Sequence, residues 1–215
     1  MDLRRVSNSW EKSKVALLVL ILTASCLLQG CGGLRGGGQL APHKLQGSHQ
    51  IMSPKLHGSC IASPQNPLRW GVDRAKADEL GCFNRHLAEF PGSWESTELP
   101  GEIANRSAVE NSTIMFYDSV TGRPLFEAPK GRTWSEFHRE STVHGWPSFR
   151  DDEVIGENVR VLADGEVVSL AGTHLGFNVP NRGNRYQINV VSIAGKPNDP
   201  NGPNGPNGPN GPNGP

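Results

Sequence analysis

The sequence predicts a mainly β domain with short peripheral helices, set between end segments that lack a core of their own. Three observations support this. Glycine (26) and proline (17) make up a fifth of the 215 residues, and apolar residues only 35%, a composition of loops and short strands and not of a helical bundle. The β-prone runs are brief and bounded by Gly, Asp and Pro. Helical patterning is confined to two short stretches. The 21 basic and 21 acidic residues cancel, which argues against a general nucleic-acid binder, where a basic excess is expected.

The chain opens with a targeting pattern. Arg4, Arg5, Lys12 and Lys14 precede an uncharged apolar run from Val15 to Leu28. A positive flank and an apolar stretch of this kind read as a secretory signal, short of the ~20 apolar residues that span a bilayer. The run ends in Leu28-Gln29-Gly30-Cys31, which resembles a bacterial lipoprotein signal with Cys31 as the lipidated residue; Cys26 is a weaker candidate. An ordinary cleaved signal or a signal anchor is the alternative. The expectation is therefore a protein exported and anchored at the cell envelope, or else secreted. In either place disulfides persist. Residues 1–31 are assigned to the signal and 32–67, rich in Gly, Ser, Pro and His, to a flexible tether. Of the histidines in or near it (His43, His49, His57, His86) none shows ligand-like spacing.

The domain is assigned to 68–196. A short helix is expected over Asp73–Leu87, with Ala75, Leu80, Phe83 and Leu87 on one face. A strand follows at Thr113–Tyr117 and another around Leu125-Phe126. Thr133-Trp134-Ser135-Glu136 is a capping-box pattern, opening a helix that runs to about Ser141. Asn158–Leu162 and Glu166–Leu170 flank Ala163-Asp164-Gly165, a hairpin signal. Arg185–Ala194 is the longest strand candidate. Its alternation puts Gln187, Asn189, Val191 and Ile193 on one face, so two amides share an otherwise apolar surface. Beyond Lys196-Pro197 the residues 197–215, ending in five Asn-Gly-Pro triplets, read as a disordered tail. Asn105-Arg106-Ser107 and Asn111-Ser112-Thr113 fit the N-glycosylation acceptor in a eukaryotic secretory pathway. Cys60 and Cys82 read as a disulfide, as inert thiols or, for Cys82, as a reactive thiol.

Three segments carry a family resemblance: Gly145-Trp146-Pro147-Ser148-Phe149, Thr173-His174-Leu175-Gly176 and Arg185-Tyr186-Gln187-Ile188-Asn189. Together, over roughly residues 116–194, they resemble the methionine-R-sulfoxide reductase (MsrB) domain. The resemblance implies a fold of two antiparallel sheets and the activity of a peptide-methionine (R)-S-oxide reductase. It places Gln187 at the position of the family's nucleophilic cysteine. It also implies substrate contacts from Trp146, His174, Arg185 and Asn189, with Phe177 where the family has a second histidine. A carboxamide is a poor nucleophile, so the expectation is an impaired reductase that keeps a pocket for methionine sulfoxide in peptides. The alternatives are an active repair enzyme using Cys82 with a thiol reductant, or a non-catalytic interaction module. At the family's four zinc-binding cysteines this chain has Asp118, Thr121, Val168 and Ala171. The expectation is therefore no zinc and no other cofactor.

Overall fold

The computed structural model describes residues 43–180 and 183–198. It is mainly β, with two antiparallel sheets and short helices. β1 (Ile114–Tyr117) and β2 (Pro124–Ala128) form a two-stranded sheet. β3 (Ser148–Phe149), β4 (Val159–Val161), β5 (Glu166–Ser169), β6 (His174–Asn178) and β7 (Tyr186–Ile188) form the second, in the order β3-β7-β6-β5-β4. The helices are α1 (Arg74–Asp78), α2 (Leu99–Ser107) and α3 (Trp134–His144). No helix among the described residues is long and apolar enough to cross a membrane. The signal segment, the lipidation candidate Cys31 and nearly all of the Asn-Gly-Pro tail lie outside the described residues.

An aromatic cluster joins the two sheets. Phe126 of β2 stacks on Phe149 of β3 at 4.3 Å, and Phe116 of β1 meets the same ring edge-on at 5.0 Å. Phe137 of α3 closes on Phe149 at 5.4 Å. All four rings are fully buried, and such pairs add roughly 0.5–1.5 kcal/mol each beyond the area they bury. The α3 start is the capping box read from sequence: Thr133 Oγ1 accepts from Glu136 N–H, and Glu136 accepts from Thr133 N–H. The β4–β5 hairpin also forms where expected, with Val159 opposite Ser169 and Gly165 at φ +90° in the turn.

Three expectations are corrected. The helix expected over Asp73–Leu87 is α-helical only to Asp78 and continues as a π-turn, Glu79–Phe83. The wider turn shifts the buried face to Ala77, Leu80 and Cys82, leaving Ala75, Phe83 and Leu87 exposed. The expected tether is packed from Leu45 onward. Short 3-10 turns at His43–Leu45 and His49–Met52 bury Leu45 in the main core and Met52 against Leu162 and Val168. Isolated apolar residues in a Gly/Ser/His background present no period to read. Finally, the strand expected over Arg185–Ala194 ends at Ile188, and Val190–Ile193 is a buried 3-10 turn. The alternation therefore does not carry Val191 and Ile193 onto the face of Gln187. A continuous apolar run that is buried all round does not distinguish strand from helix.

Gly176 fixes the approach of β6 to β7. Its φ is +153°, and a Cβ there would stand 2.1 Å from the Gln187 carbonyl oxygen. Gly176→Ala is expected to destabilise the fold by roughly 2–4 kcal/mol, measured by urea unfolding, and to disturb β7 at Gln187.

Candidate functional site

The sheet register builds one face around Gln187. Ser148 of β3 and Phe177 of β6 both pair with Gln187, and Glu166 of β5 pairs with Phe177. Directly opposed residues project to the same side, so these four line up across the sheet. His174 would alternate away from Phe177 in a regular strand. A bulge prevents this: Val167 opposes Gly176 and Val168 opposes His174, leaving Leu175 as the extra residue. His174 is thereby returned to the face of Phe177, with the two rings 5.3 Å apart. Bulges re-aim side chains in this way.

His174 is fully buried, and its Nδ1 sits 2.8 Å from Glu166 Oε1. Arg85 reaches the same carboxylate with Nε, 3.0 Å from Oε2, and also with Nη2. Burial alone would raise the Glu166 pKa, but hydrogen bonds from His174 and Arg85 outweigh it and hold the carboxyl below its ordinary value. Because Nδ1 faces a carboxylate, it carries the hydrogen. His174 Nε2, on the far side of the ring, is buried without a partner among the described residues.

A second polar group lies where β7 gives way to the 3-10 turn. Asn189 precedes that turn and is 1% exposed. Its Oδ1 accepts from Glu89 N–H at 2.9 Å, so Nδ2 is the free end of the amide, and it too is buried without a partner among the described residues. The Glu89 carbonyl in turn accepts from Trp146 Nε1 at 3.0 Å. One loop residue thus fixes both Asn189 and the indole. Burial pushes the Glu89 carboxyl up. On the opposite flank, His144 Nδ1 is 2.8 Å from Ser148 Oγ.

The structure therefore gathers His174, Phe177 and Gln187 on one face, and joins Trp146 to Asn189 through Glu89. Trp146, Phe177 and Gln187 are half-buried, while His174 and Asn189 are fully covered. Arg185 is engaged elsewhere, its Nε 3.6 Å from Glu140. Cys82 is bonded to Cys60 in a disulfide, so in this state it offers no thiolate. Sequence reasoning missed Glu89, Arg85, Glu166 and His144. These are single polar residues in loops, at a strand end (Glu166) or at the end of α3 (His144), and no spacing links them to the site.

The positions at which the resemblance would put zinc are also informative. Asp118 and the β5–β6 turn do meet: Asp118 Oδ1 accepts from Thr173 Oγ1 at 2.9 Å and from Val120 N–H at 2.8 Å. Val168 instead packs with Met52 and Leu162. Burial pushes the Asp118 carboxyl up, against the hydrogen bonds from Val120, Ser169, Thr173 and Thr121. The native state therefore holds the Asp118 proton more tightly than the unfolded chain. Its stability contribution is complete below the ordinary value of 3.8 and is lost as pH rises through the raised native value. Asp118→Asn is expected to flatten that decline and to raise the melting temperature at neutral pH relative to pH 4, read by calorimetric scans across the range.

No protein-family model, curated protein or solved structure matches the chain.

Proposed function

We propose that the domain binds the oxidised side chain of methionine in peptides, as a reductase-like module of the methionine-R-sulfoxide reductase type whose nucleophile is replaced by Gln187. The observation that carries this reading is the buried Asn189 Nδ2, without a partner among the described residues, in a side chain tied through Glu89 to half-buried Trp146; His174 Nε2, whose ring lies against half-buried Phe177, likewise has none. A buried polar atom without a partner costs roughly 1–3 kcal/mol, and a ligand that supplies an acceptor recovers it. A sulfoxide oxygen is such an acceptor. Asn189 Nδ2 is a donor at any pH. The indole of Trp146 and the ring of Phe177 offer apolar surface to the S-methyl group. Phe177 lies edge-on against the His174 ring, 5.3 Å between centroids.

The same reading makes the domain a non-turnover binder while Gln187 is in place. With Cys82 in a disulfide, no thiol among the described residues stands ready to attack sulfur. Export to the cell envelope, with Cys31 as anchor, belongs to the same proposal and suits a protein that meets oxidised peptides.

Isothermal calorimetry with methionine-sulfoxide peptides tests the reading. The R epimer is expected to release heat, with weaker binding by the unoxidised peptide, and Asn189→Ala or Trp146→Ala to weaken binding by roughly tenfold. A folded sample that gives no heat with either epimer overturns it.

A further inference from the structure

A second cluster of ligand-bearing side chains lies at the Cys60–Cys82 disulfide. We propose that reducing this disulfide opens a divalent-metal site of the zinc class, built from His57, Cys60, Asp78 and Cys82. His57 Nε2 is 2.6 Å from Asp78 Oδ1, and these two side chains and Cys82 Sγ bring one ligand atom each within 4.8 Å of one another. Cys60 Sγ, bonded to Cys82 Sγ, is the fourth donor. Two thiolates, an imidazole and a carboxylate form a donor set that suits tetrahedral zinc.

The spacing is that of a metal clip. His57 and Cys60 are separated by two residues, and Asp78 and Cys82 by three, within the two-to-four-residue spacers of structural zinc sites. His57 and Cys60 flank a tight turn in which each backbone N–H donates to the other's carbonyl, at 3.1 and 2.9 Å, with Gly58 at φ +59° between them. Asp78 ends α1, and Cys82 lies one π-turn later. That turn advances Cys82 to the inner side, facing the His57–Cys60 turn, while the neighbouring Phe83 ring meets His57 at 4.9 Å.

The two segments are tied independently of the sulfur–sulfur bond. Ser59 N–H donates to the Cys82 carbonyl at 2.8 Å, and Ser59 Oγ donates to the Gly172 carbonyl at 2.8 Å. A side chain at position 58 would collide with the Cys82 carbonyl, at 2.2 Å from the added Cβ. Cutting the disulfide therefore leaves the four donors facing one another. The sulfurs are buried, but His57 and Asp78 are 30% and 27% exposed, which gives a metal ion a way in.

The chemistry balances as a two-electron exchange. A dithiol reductant gives two electrons and two protons to the Cys60–Cys82 bond and closes into its own disulfide. Binding of the cation then displaces both thiol protons, and Sγ of each cysteine becomes a ligand. A small-molecule disulfide reverses the sequence by exchange: it takes the two electrons and, with two protons from water, leaves as two thiols, while Cys60 and Cys82 re-form their bond and release the metal. The site is thus a choice between a covalent staple and a metal staple across the same two segments.

Cobalt(II) and zinc(II) titrations of the full chain carrying Cys26→Ser and Cys31→Ser test this, after reduction with a water-soluble phosphine. The oxidised protein is expected to bind neither ion at this site. The reduced protein should bind one ion per chain, and cobalt should give thiolate-to-metal absorption in the near ultraviolet with the visible bands of tetrahedral geometry. His57→Ala and Asp78→Ala should each weaken zinc binding by at least about tenfold. Variants that bind as tightly as the parent overturn the site, as does a folded, reduced chain without cobalt–thiolate absorption. Where reduction lowers the melting temperature, zinc should restore it, and failure to do so counts against the proposal. Cys60→Ser removes any need for reduction. It should still show cobalt absorption from the single Cys82 thiolate, and its absence there equally overturns the assignment.

Discussion

Replacing Arg132 with Met is expected to lower the unfolding free energy by about 3–5 kcal/mol, more than the loss expected for Gly176→Ala. The Arg132 side chain is fully buried, as is Glu153, and the two are joined twice: Nε to Oε1 at 2.8 Å and Nη2 to Oε2 at 2.5 Å. Nη1 also reaches Glu140 of α3 at 2.8 Å, and Nη2 reaches the Ser148 carbonyl of β3 at 2.6 Å. One guanidinium therefore holds α3, β3 and the Asp151–Glu153 turn together. Met fills much of the volume but leaves the Glu153 carboxylate buried with only the Lys130 and Arg150 backbone N–H groups. Arg132→Lys keeps the charge but loses the fork that serves three acceptors at once, so it should also be costly. Arg132→Met combined with Glu153→Met removes both charges and should recover most of the loss. Guanidinium chloride unfolding of the three variants checks this. A single Arg132→Met variant as stable as the parent would show that the network contributes nothing. Because Ser148 pairs with Gln187, the same change is expected to loosen the site.

Much of the scaffold is legible in the sequence, and the reasons are local. Thr133 and Glu136 form a reciprocal cap with a fixed three-residue spacing. Asp164-Gly165 meets the conformational demand of a tight turn between β-prone runs. Both signals are satisfied within a few residues, so tertiary context has little chance to override them. The elements that differ from expectation depend on distant partners. Val190–Ile193 looks like strand because nothing within the segment says that the chain must turn at Asn189. The π-turn at Glu79–Phe83 is set where Gly81 packs against Thr173, 3.3 Å from an added Cβ, a contact with another part of the chain.

The site divides along the same line. Trp146, His174, Gln187 and Asn189 stand in short, distinctive segments and can be picked out. The groups that orient them cannot. Glu166 becomes the partner of His174 only because a bulge at Leu175 turns the imidazole toward it, and Glu89 links Trp146 to Asn189 from a loop with no periodicity. His57 and Asp78 escape notice for a related reason. The histidines show no ligand-like spacing among themselves, while the informative spacing runs from His57 to Cys60 and from Asp78 to Cys82.

Gln187→Cys is expected to convert a protein without turnover into one that reduces methionine sulfoxide in peptides, selectively for the R epimer and only with a dithiol present. The proposed function requires this because the substitution puts a thiol between Ser148 and Phe177, on the face that also carries His174. The thiolate attacks the sulfoxide sulfur, methionine leaves with its thioether restored, and the oxygen stays on Cys as a sulfenic acid. Two thiols of the reductant then return the cysteine and release water. The rate should rise with pH as the introduced thiol ionises, from an unperturbed value of about 8.5. Gln187→Ser, of similar size to cysteine but without sulfur, should stay inactive. Adding Phe177→His to Gln187→Cys should raise the rate further, by supplying a second imidazole beside the developing oxygen charge, a kind of contribution worth about 10²–10³ in rate when well placed. Chromatographic measurement of the reduced, methionine-containing peptide formed from each epimer decides the matter. A folded Gln187→Cys protein whose thiol reacts with a maleimide but which turns over neither epimer, with or without Phe177→His, and which binds neither by calorimetry, would refute the sulfoxide reading. The geometry around Gln187 would then be that of a buried polar network serving the fold alone, with His174 and Asn189 held for Glu166 and Glu89 and not for a ligand.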